Sequence, residues 1–241
     1  MSQDQNLSPV EIFLKSWQVY QEIIQHNYMF HREISASART AFEKFSQGKT
    51  LNMLDIGCGD SSMALPLLAT DKIKSYKGCD LSQPALTIAT KQLSTLDISF
   101  ELQCDNMLHF MSEQAEASTD LLLASYSIHH LDTKEKQRLI FEAARVLSPG
   151  GHFLLIDIFR EAHEDHADYI ENYVDRLRNT WTNLSSTSQD LVIDHATQYD
   201  FPECPAFYTN LFEKNGFDTG ERLAKCTWHE AWLFTKQDLA Y

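Results

Sequence analysis

The sequence predicts an α/β fold built around a mostly parallel β-sheet, and three observations lead to this prediction. Short apolar segments alternate with helical segments from residue 51 to residue 158, which is typical of parallel strands joined by crossover helices. Two of the apolar segments, LLLAS and FLLID, are nearly continuous, as expected for strands buried on both faces. The last two strand segments follow each other closely, so they should form an antiparallel hairpin at one edge of the sheet.

The apolar periodicity sets the boundaries of these elements. Strands are predicted at residues 51–56, 75–79, 98–103, 120–125, 152–158, 218–226 and 229–235. The helices between them are predicted at residues 62–69, 82–94, 134–147 and 206–215. The alternation stops between residues 158 and 205, where a helix at 163–183 followed by the polar segment NLSSTSQD indicates an insertion. Insertions over strand ends often carry binding specificity.

Two helices are predicted before the first strand. The segment Ser8-Pro9-Val10-Glu11 has the pattern of a capping box with proline at the first helical position. The helix that it opens places six apolar residues on one face, namely Ile12, Phe13, Trp17, Tyr20, Ile23 and Ile24. A second helix is predicted at residues 31–46, ending near Gly48.

Charge and composition restrict the classes of function. The net charge is −14, and residues 160–200 contain nine acids against three arginines. An acidic protein repels phosphate backbones, so no nucleic-acid partner is expected, and the charge also serves solubility. No apolar run approaches the length of a membrane span, and the N-terminus lacks the features of a signal peptide. The five cysteines are odd in number and lack metal-ligand spacing, as expected for reduced thiols. We therefore expect a cytoplasmic protein without a membrane partner.

The segment MLDIGCGDSSMAL places a carboxylate, Asp55, inside an apolar strand and two glycines just after it. A glycine-rich turn lets the backbone approach a ligand closely, although a tight turn without a ligand is the alternative. Asp80 ends the next strand 21 residues after Gly59, a spacing at which an acid can hold a ribose diol. Asp105 ends the third strand, so three successive strands place acids along one edge of the sheet. A dehydrogenase would need only the second of these acids.

These motifs resemble those of the class I S-adenosylmethionine-dependent methyltransferases of the small-molecule type. LDIGCGDS, GCDLSQPALTIA and CDNM resemble the first three motifs, and DLLLASYSIHHL resembles the fourth strand and its loop. AARVLSPGGHFLLID resembles the following helix, turn and fifth strand. The segment FYTNLFEKNGFDTGERL and the residues after it resemble the last helix and terminal hairpin. The resemblance implies a Rossmann-like, seven-stranded, mostly parallel sheet with an antiparallel terminal hairpin, N-terminal helices and a helical insertion.

The resemblance implies S-adenosyl-L-methionine as the cofactor. Asp55 would lie near its amino group, Asp80 would bind the ribose hydroxyls, and Asp105 would take the adenine amino group. The cofactor-binding residues implied in this way are Asp55, Gly57, Cys58, Gly59, Asp80, Leu81, Asp105, Asn106, Met107, Ser125 and Tyr126. The four expected parts are an N-terminal helical lid at 1–48, the cofactor-binding core at 49–158, a substrate-side insertion at 159–205, and the last helix with the hairpin at 206–241.

Some positions depart from the pattern of the family. Ser61 stands where a third glycine is usual, and a serine there can cap the next helix. Pro66 comes early in that helix and can shorten it. SYSI replaces the Asn/Asp-Pro-Pro-aromatic signature of DNA and glutamine amide methyltransferases, and the absence of a Pro-Cys pair argues against cytosine C5 chemistry.

Methyl transfer needs alignment and exclusion of water more than a particular catalytic residue. Three residues near the methyl position are candidates for a catalytic role, namely His129, His130 and Asp157. A packing or capping role is the alternative for each of them. No metal site is expected, since His163 and His166 in the insertion lack an evident third ligand.

The lid offers four aromatic residues that can cover the cofactor or pack as ordinary core, namely Tyr20, Tyr28, Phe30 and His31. The sequence predicts methyl transfer to an oxygen or nitrogen atom of a small-molecule acceptor, and leaves the oligomeric state open. A protein or RNA acceptor, or a non-catalytic cofactor-binding protein, remains as the alternative. The intact acids and glycines argue against the last of these, and Asp55, Asp105 and the hairpin argue against a nicotinamide dehydrogenase.

Overall fold

A seven-stranded mixed sheet organises the described part of the chain. The structure is a computed structural model that describes the backbone of residues 9–238 and the side chains of residues 17–238. Ser8 of the predicted capping box and the side chains of Ile12 and Phe13 therefore lie outside the described part of the structure.

The strands agree with the prediction to within a few residues. They are β1 (Leu51–Ile56), β2 (Ile73–Asp80), β3 (Ser99–Cys104), β4 (Thr119–Ser125), β5 (Leu147–Ile158), β6 (Glu221–Cys226) and β7 (His229–Thr235). Their order in the sheet is β3-β2-β1-β4-β5-β7-β6. The first five are parallel, and β7 runs antiparallel to both β5 and β6, which confirms the predicted sheet and its terminal hairpin. The strand order reverses between β1 and β4, which is where ligands bind in open α/β sheets.

Nine α-helices accompany the sheet in the described residues. They are α1 (Pro9–Gln25), α2 (His31–Phe45), α3 (Leu65–Leu68), α4 (Gln83–Leu93), α5 (Met107–Glu113), α6 (Thr133–Val146), α7 (His166–Thr180), α8 (Ser186–Tyr199) and α9 (Pro205–Lys214). A 3₁₀ turn, Ile128–His130, follows β4.

Two local features differ from the prediction, and a third agrees with it. The polar segment NLSSTSQD, for which no helix was predicted, contains the start of α8, because the Ser185 hydroxyl accepts a hydrogen bond from Ser188 N at 3.0 Å and caps the helix. Helix α5 was not predicted, because its seven residues are too few to show a helical period. Helix α3 is limited to four residues with a proline in its first turn, consistent with the shortening expected from Pro66.

The two faces of the sheet are covered by separate apolar clusters. One joins β4 and β5 to α5, α6 and α9, and the other joins β1 and β4 to α2 and α3. Leu121, Leu122, Leu123 and Ala124 of β4 are all fully buried, as the continuous apolar segment predicts. No helix among the described residues has the length and apolar character needed to cross a bilayer.

Candidate functional site

A cavity of about 520 Å³ lies at the carboxyl ends of β1, β2 and β4. The strand-end part of its lining includes Asp55, Gly57, Cys58, Gly59, Asp60, Asp80, Ser125 and Tyr126. Helices α1, α7 and α8 contribute a second part of the lining, which we call the roof. The roof residues are Trp17, Val19, Tyr20 and Ile23 of α1, Tyr173 of α7, and Leu191, Val192, Asp194, His195, Ala196, Gln198 and Tyr199 of α8.

Asp55 is a buried carboxylate with one oxygen that lacks a hydrogen-bond partner among the described residues. Its Oδ2 accepts a hydrogen bond from the Tyr76 hydroxyl at 2.8 Å, while its Oδ1 is buried without a hydrogen-bond partner among the described residues. Burial raises the pKa of Asp55 to about 7, and the charges of Asp80 and Asp60 act in the same direction, whereas the Tyr76 hydrogen bond opposes them. A cation placed against Oδ1 would therefore stabilise the ionised carboxylate.

The turn after β1 depends on its glycines. Gly57 has a φ of +67°, and a Cβ there would lie 2.4 Å from the Cβ of Ser127. Gly59 also has a positive φ, but a Cβ on it would meet open space, so the backbone faces a gap. Ser61 adopts a φ of +64°, and its hydroxyl bonds the Tyr76 hydroxyl at 2.9 Å. Its side chain therefore supports the partner of Asp55 and does not cap α3, contrary to the capping role expected for it.

Asp80 braces the same turn from β2. Its Oδ2 accepts from the backbone N–H of Gly59 at 2.8 Å, and its Oδ1 accepts from that of Ser82 at 2.8 Å. Each carboxylate oxygen keeps a second lone pair with which it can accept a further hydrogen bond, as binding of a diol requires, and Asp80 lines the cavity. Leu81, the next residue, is 74% exposed, an unusual position for a large apolar side chain that the structure leaves uncovered.

Asp105 stands beside Asp80 at the sheet edge, since its backbone N–H bonds the Asp80 carbonyl at 3.1 Å. The hydrogen bond from His109 is the main cause that holds the pKa of Asp105 below its usual value. Asn106 caps α5, accepting from Leu108 N at 2.8 Å, so its side chain has a structural role already. Of the predicted cofactor residues, four lie outside the described lining of the cavity: Leu81, Asp105, Asn106 and Met107.

The loop after β4 brings His129 and Asp157 together. The Oδ2 of Asp157 accepts from the backbone N–H groups of Ile128 and His129 at 3.1 and 3.0 Å, and its Oδ1 bonds Nδ1 of His129. Asp157 is fully buried and lies outside the described lining, so it positions the loop and does not touch a ligand there. Burial lowers the pKa of His129, but the carboxylates of Asp157 and Asp200 outweigh burial and raise it.

His130 lines this side of the cavity together with Asp200. Asp200 was not singled out in the sequence. The Nδ1 of His130 lies 3.0 Å from the Tyr199 carbonyl oxygen and 3.4 Å from Oδ1 of Asp200. His195 of α8 places its Nε2 3.6 Å from the same carboxylate oxygen. The available signal was the helical spacing of Leu191, His195 and Tyr199, but no helix was predicted between residues 183 and 205.

His163 and His166 of the insertion do not belong to a group of three or more possible metal ligands among the described residues. His166 Nε2 bonds the backbone carbonyl of Asp200 at 2.7 Å and thereby fixes α7 to the end of α8. Glu164, between the two histidines, accepts from the Trp228 indole N–H at 3.0 Å. These side chains therefore hold the insertion against the core.

Of the four predicted lid residues, Tyr20 lines the cavity. Tyr28 instead stacks on Trp181 of the insertion, with ring centroids 5.0 Å apart. His31 packs against Tyr126, with ring centroids 4.9 Å apart, and burial lowers its pKa to about 4. Phe30 packs near His229, so three of the four serve as packing residues that hold the roof.

The geometry fits the cofactor that the motifs imply. Asp55 offers an unpartnered buried oxygen for an ammonium group, the gap at Gly59 leaves room for a ligand, and Asp80 lies at the adjacent strand end. The acids at this edge also favour a sulfonium cation. Asp55, Gly59 and Asp80 are therefore the residues that would hold the amino and ribose groups of S-adenosylmethionine.

Comparisons with known proteins agree with this assignment. A family model described as a methyltransferase domain matches residues 53–151. An uncharacterized methyltransferase of Bacillus cytotoxicus is 23% identical over 210 residues, covering 87% of this chain and 90% of that protein. A carboxy-S-adenosyl-L-methionine synthase of Actinobacillus succinogenes is 26% identical over 149 residues, or 59% of each chain. The structure of the Bacillus subtilis YcgJ protein is similar in fold, with a TM-score of 0.60 at 15% identity, covering 84% of this chain and 99% of that one.

Proposed function

Because the chain belongs to the class I S-adenosylmethionine-dependent methyltransferases, we propose that it methylates an oxygen or nitrogen atom of a small-molecule acceptor. The observation that carries this proposal is the roof over the cavity. It is made of the N-terminal helix and the insertion, which hold each other directly.

The roof is one packed unit. Val19, Ile23, Tyr173 and Ala196 belong to a single buried cluster that also contains Ile158 at the end of β5. The backbone N–H of Asn183 donates to the Tyr28 hydroxyl at 2.9 Å, which ties the insertion to the N-terminal segment. A cavity of about 520 Å³ under such a cover is within the range of small-molecule pockets, about 300–1,000 Å³.

The charge of the protein favours a small-molecule acceptor over a nucleic acid. The net charge of −14 opposes the approach of RNA, and the insertion over the cavity is itself acidic. Methyl transfer to a protein or RNA, and cofactor binding without transfer, are the alternative outcomes of the test below.

The residues of this chain contribute mainly alignment. When bound, S-adenosylmethionine supplies a methyl group that is already activated by the sulfonium charge. Asp55 would hold the amino group of the cofactor and Asp80 its ribose hydroxyls, while the apolar roof residues would exclude water and orient the acceptor. An acceptor hydroxyl or ammonium must also lose a proton, and the imidazoles of His129 and His130 are among the groups at the cavity that can take it. Asp157 positions His129 for this role.

The test is to incubate the purified protein with S-adenosylmethionine carrying a labelled methyl group. Parallel reactions contain a panel of small phenols, hydroxy acids and amines, total RNA, or a protein extract. The proposal expects label in a small molecule together with release of S-adenosylhomocysteine, and the matched Asp55→Asn variant should lose both. Label found only in RNA or protein would refute the small-molecule acceptor. Tight cofactor binding without transfer to any acceptor would favour the non-catalytic alternative.

A further inference from the structure

Asp200 is a buried carboxylate whose position the cofactor does not explain. It follows α8, its side chain is 5% exposed, and its Oδ1 has no hydrogen-bond partner within the described residues. Three imidazole nitrogens surround that oxygen, at 3.4 Å for His130 Nδ1 and 3.6 Å for both His129 Nε2 and His195 Nε2. The arrangement leaves a negative oxygen facing a ring of nitrogen atoms.

The tautomer of His129 strengthens this observation. Its Nδ1 faces Asp157, whose Oδ2 is occupied by backbone N–H groups, so the neutral ring donates from Nδ1. In this tautomer Nε2 carries a lone pair and lies 3.6 Å from Oδ1 of Asp200, so two acceptor atoms are close to each other. Such a pair is repulsive unless a proton or a cation lies between the two atoms.

The spacing of these atoms matches a metal site. Ligand atoms about 2.1 Å from a tetrahedral Zn²⁺ lie about 3.4 Å from one another. The ligand atoms of His129, His130 and Asp200 all lie within 4.8 Å of one another, and all three residues line the cavity. We propose that His129, His130 and Asp200 bind a divalent transition-metal ion of the Zn²⁺ type, with an open coordination position toward the cavity.

The chemistry of the donors selects the ion. Two imidazoles and one carboxylate suit Zn²⁺ and its neighbours in the transition series, whereas Mg²⁺ prefers oxygen ligands. Asp157 supplies the carboxylate behind a ligating histidine that metal sites usually contain. Coordination through His130 Nδ1 exchanges its contact with the Tyr199 carbonyl for the ion. An ion here would contact an acceptor oxygen, and His129 would then act as a ligand in place of a proton acceptor.

Sequence reasoning predicts no metal here, since the ligands come from two distant segments. The proposal goes beyond the proposed methyl transfer and does not rest on it, because metal binding is measured without cofactor or acceptor. Failure of one therefore leaves the other standing.

The test uses the full chain after removal of metal with a chelator. Zn²⁺ is titrated by calorimetry at neutral pH, and Mg²⁺ is titrated as a control. We expect one Zn²⁺ per chain and no comparable binding of Mg²⁺. The Asp200→Asn and His130→Ala variants should each weaken Zn²⁺ binding at least about tenfold, in line with the loss of a ligand. Co²⁺-loaded protein should show visible d–d absorption that the Asp200→Asn variant lacks.

A matched control comes from a second group of possible ligands. Asp105, His109 and Glu113 also place ligand atoms within 4.8 Å of one another, but at the surface. The His109→Ala variant should retain Zn²⁺ binding, and circular dichroism should show that all variants are folded. Absence of stoichiometric Zn²⁺ binding in the unaltered protein would overturn the proposal. So would binding that survives both Asp200→Asn and His130→Ala, or binding that is lost only in His109→Ala.

Discussion

The buried carboxylate of Asp55 makes cofactor affinity depend on pH in a direction that the structure fixes. Its pKa is raised from 3.8 to about 7, so the carboxylate takes up protons in a range where an exposed aspartate stays ionised. An ammonium group can be held at Oδ1 only when the carboxylate is ionised. Affinity for S-adenosylmethionine should therefore fall as the pH falls through 7.

The magnitude follows from the fraction of Asp55 that is ionised. With a pKa of about 7, that fraction is one half at pH 7 and about one eleventh at about pH 6. The dissociation constant should therefore rise about fivefold over this unit of pH, while α-amino groups, which titrate near 7.7–8.0, stay protonated. An aspartate with an unshifted pKa would change the affinity by less than about one per cent over the same interval.

Calorimetric titration with S-adenosylmethionine and S-adenosylhomocysteine at several pH values measures this effect. Buffers of different ionisation enthalpy should also reveal proton release on binding. The Asp55→Asn variant should bind weakly and without this pH dependence. Tyr76→Phe removes a hydrogen bond that lowers the pKa of Asp55, so its affinity profile should move to higher pH. A flat profile in the unaltered protein, or the same slope in Asp55→Asn, would refute the reasoning.

The stability of the ligand-free protein should show the opposite trend. A carboxyl group with a raised folded-state pKa favours folding while it is protonated, and the advantage is lost as the pH rises from 3.8 in the unfolded chain through about 7 in the folded chain. The cost at full ionisation is up to roughly 4 kcal/mol. Urea unfolding should therefore show that Asp55→Asn gains stability relative to the unaltered protein as the pH rises. Added cofactor should reduce this difference, because it binds and stabilises the unaltered protein.

Three further substitutions test the site and its roof. Gly57→Ala places a Cβ 2.4 Å from that of Ser127 at a positive φ, so urea unfolding should show a loss of at least about 1 kcal/mol, and an unchanged midpoint would contradict this. Leu81→Ala should leave stability within about 0.5 kcal/mol but weaken S-adenosylmethionine binding about tenfold, since the side chain is 74% exposed and available to a ligand. Equal affinity of the two proteins would remove Leu81 from the binding surface. Tyr126→Phe loses the 2.8 Å hydrogen bond to the Met29 carbonyl and should cost about 1 kcal/mol of stability, with cofactor affinity changed less than twofold.

The strand-end acids and the glycine turn could be predicted because their signals are local. Asp55 lies near the end of β1, Asp80 ends β2 and Asp105 follows β3, and parallel strands bring their carboxyl ends to one edge of the sheet. The hairpin could also be predicted from the sequence, since little more than a turn separates β6 from β7. Proximity along the chain is enough for such features, because a strand and the turn after it fix the position of the next residues.

Only the tertiary structure decided what surrounds these residues. The burial of Asp55 and its bond to Tyr76 depend on how β1 lies against β2, and a raised pKa cannot be read from the motif itself. Asp157 was predicted as a catalytic residue, and its full burial behind His129 gives it a positioning role.

The sequence by itself determined the fold class, the cofactor motifs and the family. The side of the cavity near His129 and His130 depended on the packing of α8. Asp200, the residue after this helix, lies close to both histidines of the loop after β4. His130 and the Tyr199 carbonyl are in contact although they are 69 residues apart in the chain. The physical reason is that side-chain contacts of this kind depend on the docking of whole helices, which many distributed apolar contacts set together. Local patterns specify the elements, whereas the chemistry between distant elements appears only when they are packed.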